Sequence, residues 1–317
     1  MGNNLTKSLR KGYDTFYLTL ANYDPTWRQI TTPLTESDPT YVESDIYGLK
    51  TFEAQVDSPT AKDLIASNSE TSVAPFEEIV KLRKKDVNDN PRILAQISAD
   101  LARLGGWTLT KAFWDAVKAL DVTVHPENGG TVYAAQGGGT VYFADDFTID
   151  PPNDAAFNQS NLFTTALTAT ALSNALAARR EYLDKSGNPA DTPENKPWLI
   201  VPPELETKAI DLMDRKGEIY DGTGLQSCSF GSRLAGRIVL PGKVTDANDW
   251  FLWWTRNVVD REGNLRPVGP VVPWLRVPPQ IEFFKSPFSN HIYVVAYMEY
   301  AIHYRTFEGD VMMFKVA

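Results

Sequence analysis

The sequence is poor in the side chains that carry out metal, redox and nucleophilic chemistry. Its 317 residues contain one cysteine, Cys228, and three histidines, His125, His291 and His303. One cysteine excludes an intramolecular disulfide framework and any multi-cysteine metal site. The histidines form no metalloprotease helix motif and have no second ligand at a useful spacing. His303 falls on a strand-like stretch and reads as a surface or interface residue. Gly-x-Ser-x-Gly is absent, which disfavours a hydrolase nucleophile elbow. Gly137-Gly138-Gly139 lacks the Lys-Ser/Thr ending of a phosphate-binding loop and reads as a turn.

Positive charge is also scarce. Lys and Arg total 31 against 40 Asp and Glu, giving a net charge of −9 and a pI near 5.0. That balance argues against a protein that coats nucleic acid through phosphate contacts. The run Lys81, Arg83, Lys84 and Lys85 has no interleaved aromatics, so it is not read as a nucleic-acid site. No apolar run approaches the ~20 residues that span a bilayer. The first residues carry Lys7, Arg10, Lys11 and Asp14 rather than an uninterrupted apolar signal, so synthesis in a cytosol is expected. No repeat with a period of about 20–50 residues is visible, which excludes a solenoid or propeller reading.

What is present is apolar, aromatic and rich in turns. Hydrophobic residues make up 43%, with 8 Trp, 13 Tyr and 15 Phe, and 21 prolines and 20 glycines are spread along the chain. Mixed α and β structure with a real core is expected. Charge is uneven at the front. Residues 1–30 carry four bases against two acids, whereas residues 31–70 carry eight acids against two bases. This suggests a basic arm and an acidic loop that meet across subunits, weighed against an ordinary solvated surface.

Local patterns predict the elements. Tyr41 to Asp57 has strand-like residues around a turn candidate at Tyr47-Gly48, with only Val42, Ile46, Leu49, Phe52 and Val56 apolar. So polar a hairpin cannot form a good core face. Asn68 to Pro75 reads as polar connection and Phe76 to Leu82 as a strand. A helix begins after Asp89 or Asn90, with Ile93, Ile97, Leu101 and Leu104 as its apolar stripe and Gly105-Gly106 ending or kinking it. A second amphipathic stretch starts at Thr108, Thr131 to Tyr133 reads as a short strand, and a long helix is expected from Ser160 to Lys185. Trp198 to Val201 is a short apolar strand running into a helix started by Pro202-Pro203-Glu204 and closed by Arg215-Lys216-Gly217. Leu234 to Leu240 and Trp250 to Thr255 read as strands. In the last 27 residues Ile292, Val294, Ala296, Met298, Tyr300, Ile302 and Tyr304 alternate onto one buried face, and Asp310 to Val316 is expected to return beside them.

One cluster of chemistry-bearing residues deserves weighing. Asp145, Asp146, Asp150 and Asp154 could hold Ca²⁺ or supply an acid/base pair in a carboxylate-based hydrolase. Pro151-Pro152 interrupts the cluster and no calcium-loop register is present, so an acidic surface loop is the simpler reading.

Several pieces, in order, resemble one family. They are Phe76 through Asn90, a strand turning into the helix; Trp198-Leu199-Ile200-Val201-Pro202-Pro203-Glu204-Leu205-Glu206 with Ala209; Gly236 to Val239 leading to Asp249 through Leu252; and Pro267 to Pro270 with the closing strands through Tyr300 and Phe314. Together they resemble the Mu-like phage major head (major capsid) proteins, which have the HK-97-type capsid fold. Val141 to Asp146 lacks the His-Pro expected there, which sets this chain apart from Mu itself. The resemblance implies an α+β subunit with an N-terminal arm (1–35) and an E-loop (36–75), both lying on neighbouring subunits. A peripheral domain with a long spine helix (76–194), an axial domain (195–265) and C-terminal strands returning to the peripheral domain (266–317) would complete it. It implies a virion structural protein of a tailed phage, self-assembling through hexamers and pentamers in the host cytoplasm into an icosahedral shell around double-stranded DNA. Portal protein and possibly scaffolding, protease or decoration proteins would be its partners. No catalytic residue, cofactor, metal site or membrane contact is expected, and a tail or baseplate protein is the nearest structural alternative.

Overall fold

The computed structural model describes residues 2–23, 25–35, 40–47, 65–90, 92–118, 143, 147–149, 156–183, 187–189, 195–214, 217–220, 225–228, 230–242, 246–259, 265–285, 290–304 and 310–316. The chain opens with α1 (Gly2–Ala21), β1 (Leu34–Thr35), β2 (Thr40–Tyr47), β3 (Ile65–Ser72), β4 (Ala74–Arg83), α2 (Lys84–Asp89) and α3 (Ile93–Lys118). Next come β5 (Phe147–Ile149), β6 (Phe157–Gln159), β7 (Leu162–Phe163), α4 (Ala169–Arg179), β8 (Trp198–Val201) and α5 (Glu206–Asp214). It closes with β9 (Gly217–Tyr220), β10 (Leu225–Cys228), β11 (Gly236–Val239), β12 (Trp250–Trp253), β13 (Arg256–Val259), β14 (Leu265–Val268), β15 (Val271–Lys285), β16 (His291–Tyr304) and β17 (Val311–Phe314).

Two sheets organise the molecule. The longer one has the order β1-β15-β16-β4, with β1 parallel to β15 and the other pairs antiparallel. Strand β16 follows its expected alternation at first and is buried on both faces from Tyr300 to Tyr304. Ile292, Val294, Met298, Tyr300, Ile302 and Tyr304 are buried, and Phe76, Val80 and Leu82 of β4 share their face through the register. The second sheet has the order β11-β8-β12-β17-β7. Its central strands WLIV, WFLW and VMMF are uninterrupted apolar runs because both faces are covered. Leu199, Trp250, Leu252, Met312 and Phe314 face a core that includes α4 and α5, and Trp250 stacks on Phe314 at 3.6 Å. Ile200, Phe251, Trp253, Val311 and Met313 point the other way, against Phe113, Trp114 and Val117 of α3.

The expected N-terminal arm is not an extended segment over the described residues. Leu5, Leu9, Phe16 and Leu20 recur at helical spacing, and α1 lays this stripe on α3 and the long sheet of its own chain. Trp27 and Ile30 are buried beyond it, and β1 joins the long sheet, so residues up to Thr35 are built into the same subunit.

Helix α3 passes through Gly105-Gly106 without ending there. The second glycine permits close approach. A Cβ on Gly106 would lie 2.7 Å from the Tyr23 ring, whereas one on Gly105 would lie 3.4 Å from Pro279. Thr110, one turn on, donates to the Gly106 carbonyl at 2.9 Å and accepts from Trp27 Nε1 at 3.2 Å. The buried stripe is also rotated from the expected one. Leu94, Ser98, Leu101 and Ala102 are buried, Ile93 and Ile97 are partly buried, and Leu104 is 44% exposed.

Other expectations are corrected. The hairpin is longer than 41–57: Tyr47 pairs with Ile65 and Thr40 with Ser72, so the reversal lies between them and Asn68 to Ser72 is strand. The helix expected over 160–185 is only Ala169–Arg179, capped by the Thr168 hydroxyl accepting from Ala171 N at 3.0 Å. The residues before it form short strands because Phe163 stacks on Phe314. Residues 311–314 do not return beside β16, whose two edges are already taken by β15 and β4. They enter the second sheet instead, where a strand apolar on both faces finds cover. His303 is 1% exposed, so it is a core residue and not a surface one. The pairing of β17 with β7 and β12 also joins residues across the boundaries expected at 194 and 265. Gly137 to Gly139, Thr131 to Tyr133 and His125 lie outside the described residues.

The two glycines yield a sharp test. Gly106→Ala should lower stability by about 1–3 kcal/mol through overpacking against Tyr23. Gly105→Ala should be neutral or stabilising by up to about 1 kcal/mol, because alanine is the better helix former. Thermal melting of the two variants checks the difference, as does Leu101→Ala, expected to cost about 2–5 kcal/mol.

Candidate functional site

Among the described residues no group of three or more His, Cys, Asp or Glu side chains could hold a metal ion. His291 and His303 lie on the same strand but in separate surroundings at its two ends, and Cys228 sits at the end of β10. Asp145, Asp146, Asp150 and Asp154 lie outside the described residues, so the acid loop is not placed. No described helix is long and apolar enough to cross a membrane.

The buried polar groups serve as joints between elements. Arg179, fully buried on α4, meets Asp310 Oδ1 at 3.3 Å, and the same carboxylate receives Arg256 Nε at 2.6 Å on its other oxygen. The Arg179 guanidinium also lies over the rings of Trp254 and Tyr182. Asp310 precedes β17 and Arg256 opens β13, so one carboxylate ties α4 to the last two of the three chain crossings between the sheets. Asp249 performs a similar task, accepting from Val316 N at 2.8 Å and Asp246 N at 3.0 Å. Burial pushes the Tyr182 phenol upward, partly opposed by Arg179, so it stays neutral at physiological pH. None of these groups is arranged as a nucleophile with its base.

The outward faces differ from this interior. Helix α1 exposes Tyr13, Tyr17 and Leu18 beside Lys7, Arg10 and Lys11. Leu104 and Trp107 of α3 and Ile79 and Phe284 of the long sheet are likewise exposed. Large apolar side chains outside the core mark contact surfaces where they form contiguous patches, and are ordinary surface where they stand singly. The signal for several of them was available in sequence: Leu18 and Trp107 fall off the apolar stripes of their helices. The pair β2–β3 extends this picture. It is a two-stranded sheet, paired to no third strand among the described residues, and β3 touches β16 at its root.

The Asp310 joint can be tested directly. Asp310→Ala should cost about 3–5 kcal/mol, because it strands the Arg179 charge in the core. Arg179→Met combined with Asp310→Leu should recover much of that loss. Urea unfolding of the single and double variants measures both.

No family model matches the sequence, and no curated protein matches it. Solved structures do. A chain of the bacteriophage JBD30 procapsid superposes with a TM-score of 0.51 at 12% identity, covering 99% of this chain and 75% of that one. A chain of Mycobacterium phage Patience gives 0.51 at 13%, covering 96% and 86%. The capsid of the native GTA particle gives 0.51 at 12%, covering 94% and 96%. The mixed helix-and-sheet architecture described above is therefore the HK-97-like fold of phage capsid structures.

Proposed function

We propose that this chain is the major capsid protein of a tailed phage, a structural subunit that assembles through hexamers and pentamers into the icosahedral shell around double-stranded DNA. The observation that carries the reading is the superposition on phage capsid chains over nearly the full length of this one. The exposed apolar residues on α1, α3 and the long sheet support it, since a subunit enclosed by copies of itself needs contact area on several sides. Many modest contacts per subunit become cooperative in a closed shell. The neighbours in structure give no support to a carboxylate-based hydrolase, a calcium module or a tail or baseplate protein. The mature location would be the virion after assembly in the host cytoplasm, with portal, and possibly scaffolding, protease or decoration proteins, as partners. The net charge of −9 suits a container that must not grip its genome.

Negative-stain microscopy of the purified chain, with and without phage partners, tests this reading. Rings, capsomers or closed shells are expected, and a persistent monomer under all conditions would overturn it. Hydrogen exchange of the 40–47 and 65–72 amides should be fast in free capsomers and slow in shells. An isolated two-stranded hairpin is marginal in water, so a neighbouring subunit must supply its protection. Equal exchange in both states would remove the hairpin from the assembly contacts.

A further inference from the structure

The long sheet ends in two unlike edges. On the β15 side, β1 covers Trp274 and Leu275, while Pro278-Pro279 and the register shifts between Leu275 and Gln280 interrupt the rest of the strand. Prolines, bulges and short covering strands are the usual means of closing a sheet edge to further pairing. The β4 side carries no such device. From Ala74 to Arg83 its ten residues pair with β16 without a register shift, and its one proline, Pro75, stands near the start. No strand lies on its other side among the described residues. A regular edge of this length turns the backbone donors and acceptors of every second residue outward from the sheet.

The side chains along this edge are complementary to themselves when the strand meets a copy running the other way. Val80 and Leu82 pack on the core beneath α3, so Glu77, Ile79 and Lys81 share the opposite face. All three are exposed, Ile79 by 51%. An antiparallel pair about a two-fold axis keeps each face on its own side, so the register moves in steps of two residues. With Ile79 opposite Ile79, Glu77 meets Lys81 on both sides of the axis, and Phe76 meets Leu82. One step earlier sets Glu78 against Glu78. One step later Glu77 meets Arg83, but Lys81 falls opposite Ile79. Opposite charges and apolar pairs directly across a ladder stabilise it, and like charges destabilise it. The order of residues in β4 therefore selects the register centred on Ile79.

We infer that the open edge of β4 is a two-fold interface with a second copy of this chain, formed by antiparallel pairing with Ile79 on the axis. The inference rests on the shell reading and names a contact that this reading leaves open. Contacts around a ring are heterologous, whereas a two-fold contact is isologous, each copy giving the same patch. Pairing through β4 therefore joins one ring to the next, and it merges two four-stranded sheets into one of eight strands. Main-chain hydrogen bonds supply most of the affinity in strand addition. The exposed Glu77–Lys81 pairs, each weak in water, set the register.

The test is disulfide scanning in the full-length chain, with Cys228→Ser removing its one cysteine. Glu78→Cys, Ile79→Cys and Val80→Cys are oxidised separately, before and after assembly, and read on non-reducing gels. Directly opposite Cβ atoms lie about 4.5–5.5 Å apart and diagonal neighbours about 7–8 Å, so Ile79→Cys should give covalent dimers about tenfold more readily than the other two. Lys81→Glu should lower that dimer yield about tenfold at low salt and less at high salt, and adding Glu77→Lys should restore most of it. Circular dichroism melting confirms that each variant remains folded. Equal crosslinking at all three positions, a maximum at 78 or 80, or no recovery in the charge swap overturns the inference. Absence of the Ile79→Cys dimer in every state also overturns it, and the shell reading then stands if shells still form. A dimer that crosslinks at Ile79→Cys but never proceeds to rings or shells upholds the pairing and removes the shell reading instead.

Discussion

Helix α3 has to satisfy two sheets at once, and most of the architecture follows from that demand. Its first half lies with Phe16 of α1 on the long sheet, where Leu94, Leu101 and Ala102 meet Ile281, Ile292 and Val294. Its second half carries Leu109, Phe113, Trp114 and Val117 into a core shared with Phe251, Trp253 and Met313 of the other sheet. One rigid helix of 26 residues therefore sets how far apart the sheets sit. Cross-ties reinforce it at the far end: the Tyr304 hydroxyl donates to the Ala116 carbonyl at 3.1 Å, and Lys118 Nζ donates to the Pro241 carbonyl at 2.6 Å. The same demand explains Gly106, because the chain entering from α1 must cross α3 more closely than a methyl group permits.

Much of this was legible in the sequence, and the failures have physical causes. The alternation along β16 and the short apolar runs of β8 and β12 identified their strands because period and burial agree. The C-terminal run VMMF was read as a strand but misplaced, because periodicity reports how many faces are covered and not which sheet covers them. Gly105-Gly106 is expected to end or kink the helix because a glycine pair carries the same signature whether it interrupts a helix or admits a neighbour. The segment around Leu5, Leu9 and Phe16 has helical spacing, but so short a stripe does not say whether the helix packs on its own subunit or on another. His303 shows that a polar residue on the mixed face of a strand is buried wherever a second layer happens to cover that face.

The candidate surfaces were legible in part. The basic start and the acidic stretch after it were visible as a charge step along the chain. Sequence alone did not show that the N-terminal helix packs along α3, with Gly12 beside Ser98 and Tyr23 beside Gly106. Nor did it show that the hairpin springs from the far end of β4. Composition counts Trp107 and Phe284 alike as core formers; the helical period sets Trp107 off its stripe, but nothing in the sequence of β15 sets Phe284 apart.

The wiring of the sheets has a bearing on how the subunit is made. Ala74 of β4 waits for Tyr300, Leu34 for Trp274, and Leu162 for Met313. Neither sheet can be completed before its late interior strands are made, β15 and β16 in one and β17 in the other. Pairings this distant in sequence form slowly, after the local helices. A nascent or truncated chain would hold α1 and α3 without the sheet beneath them, and so could not present a finished contact surface. The complete fold is thereby reserved for chains whose synthesis has passed Phe314, an ordering imposed by topology.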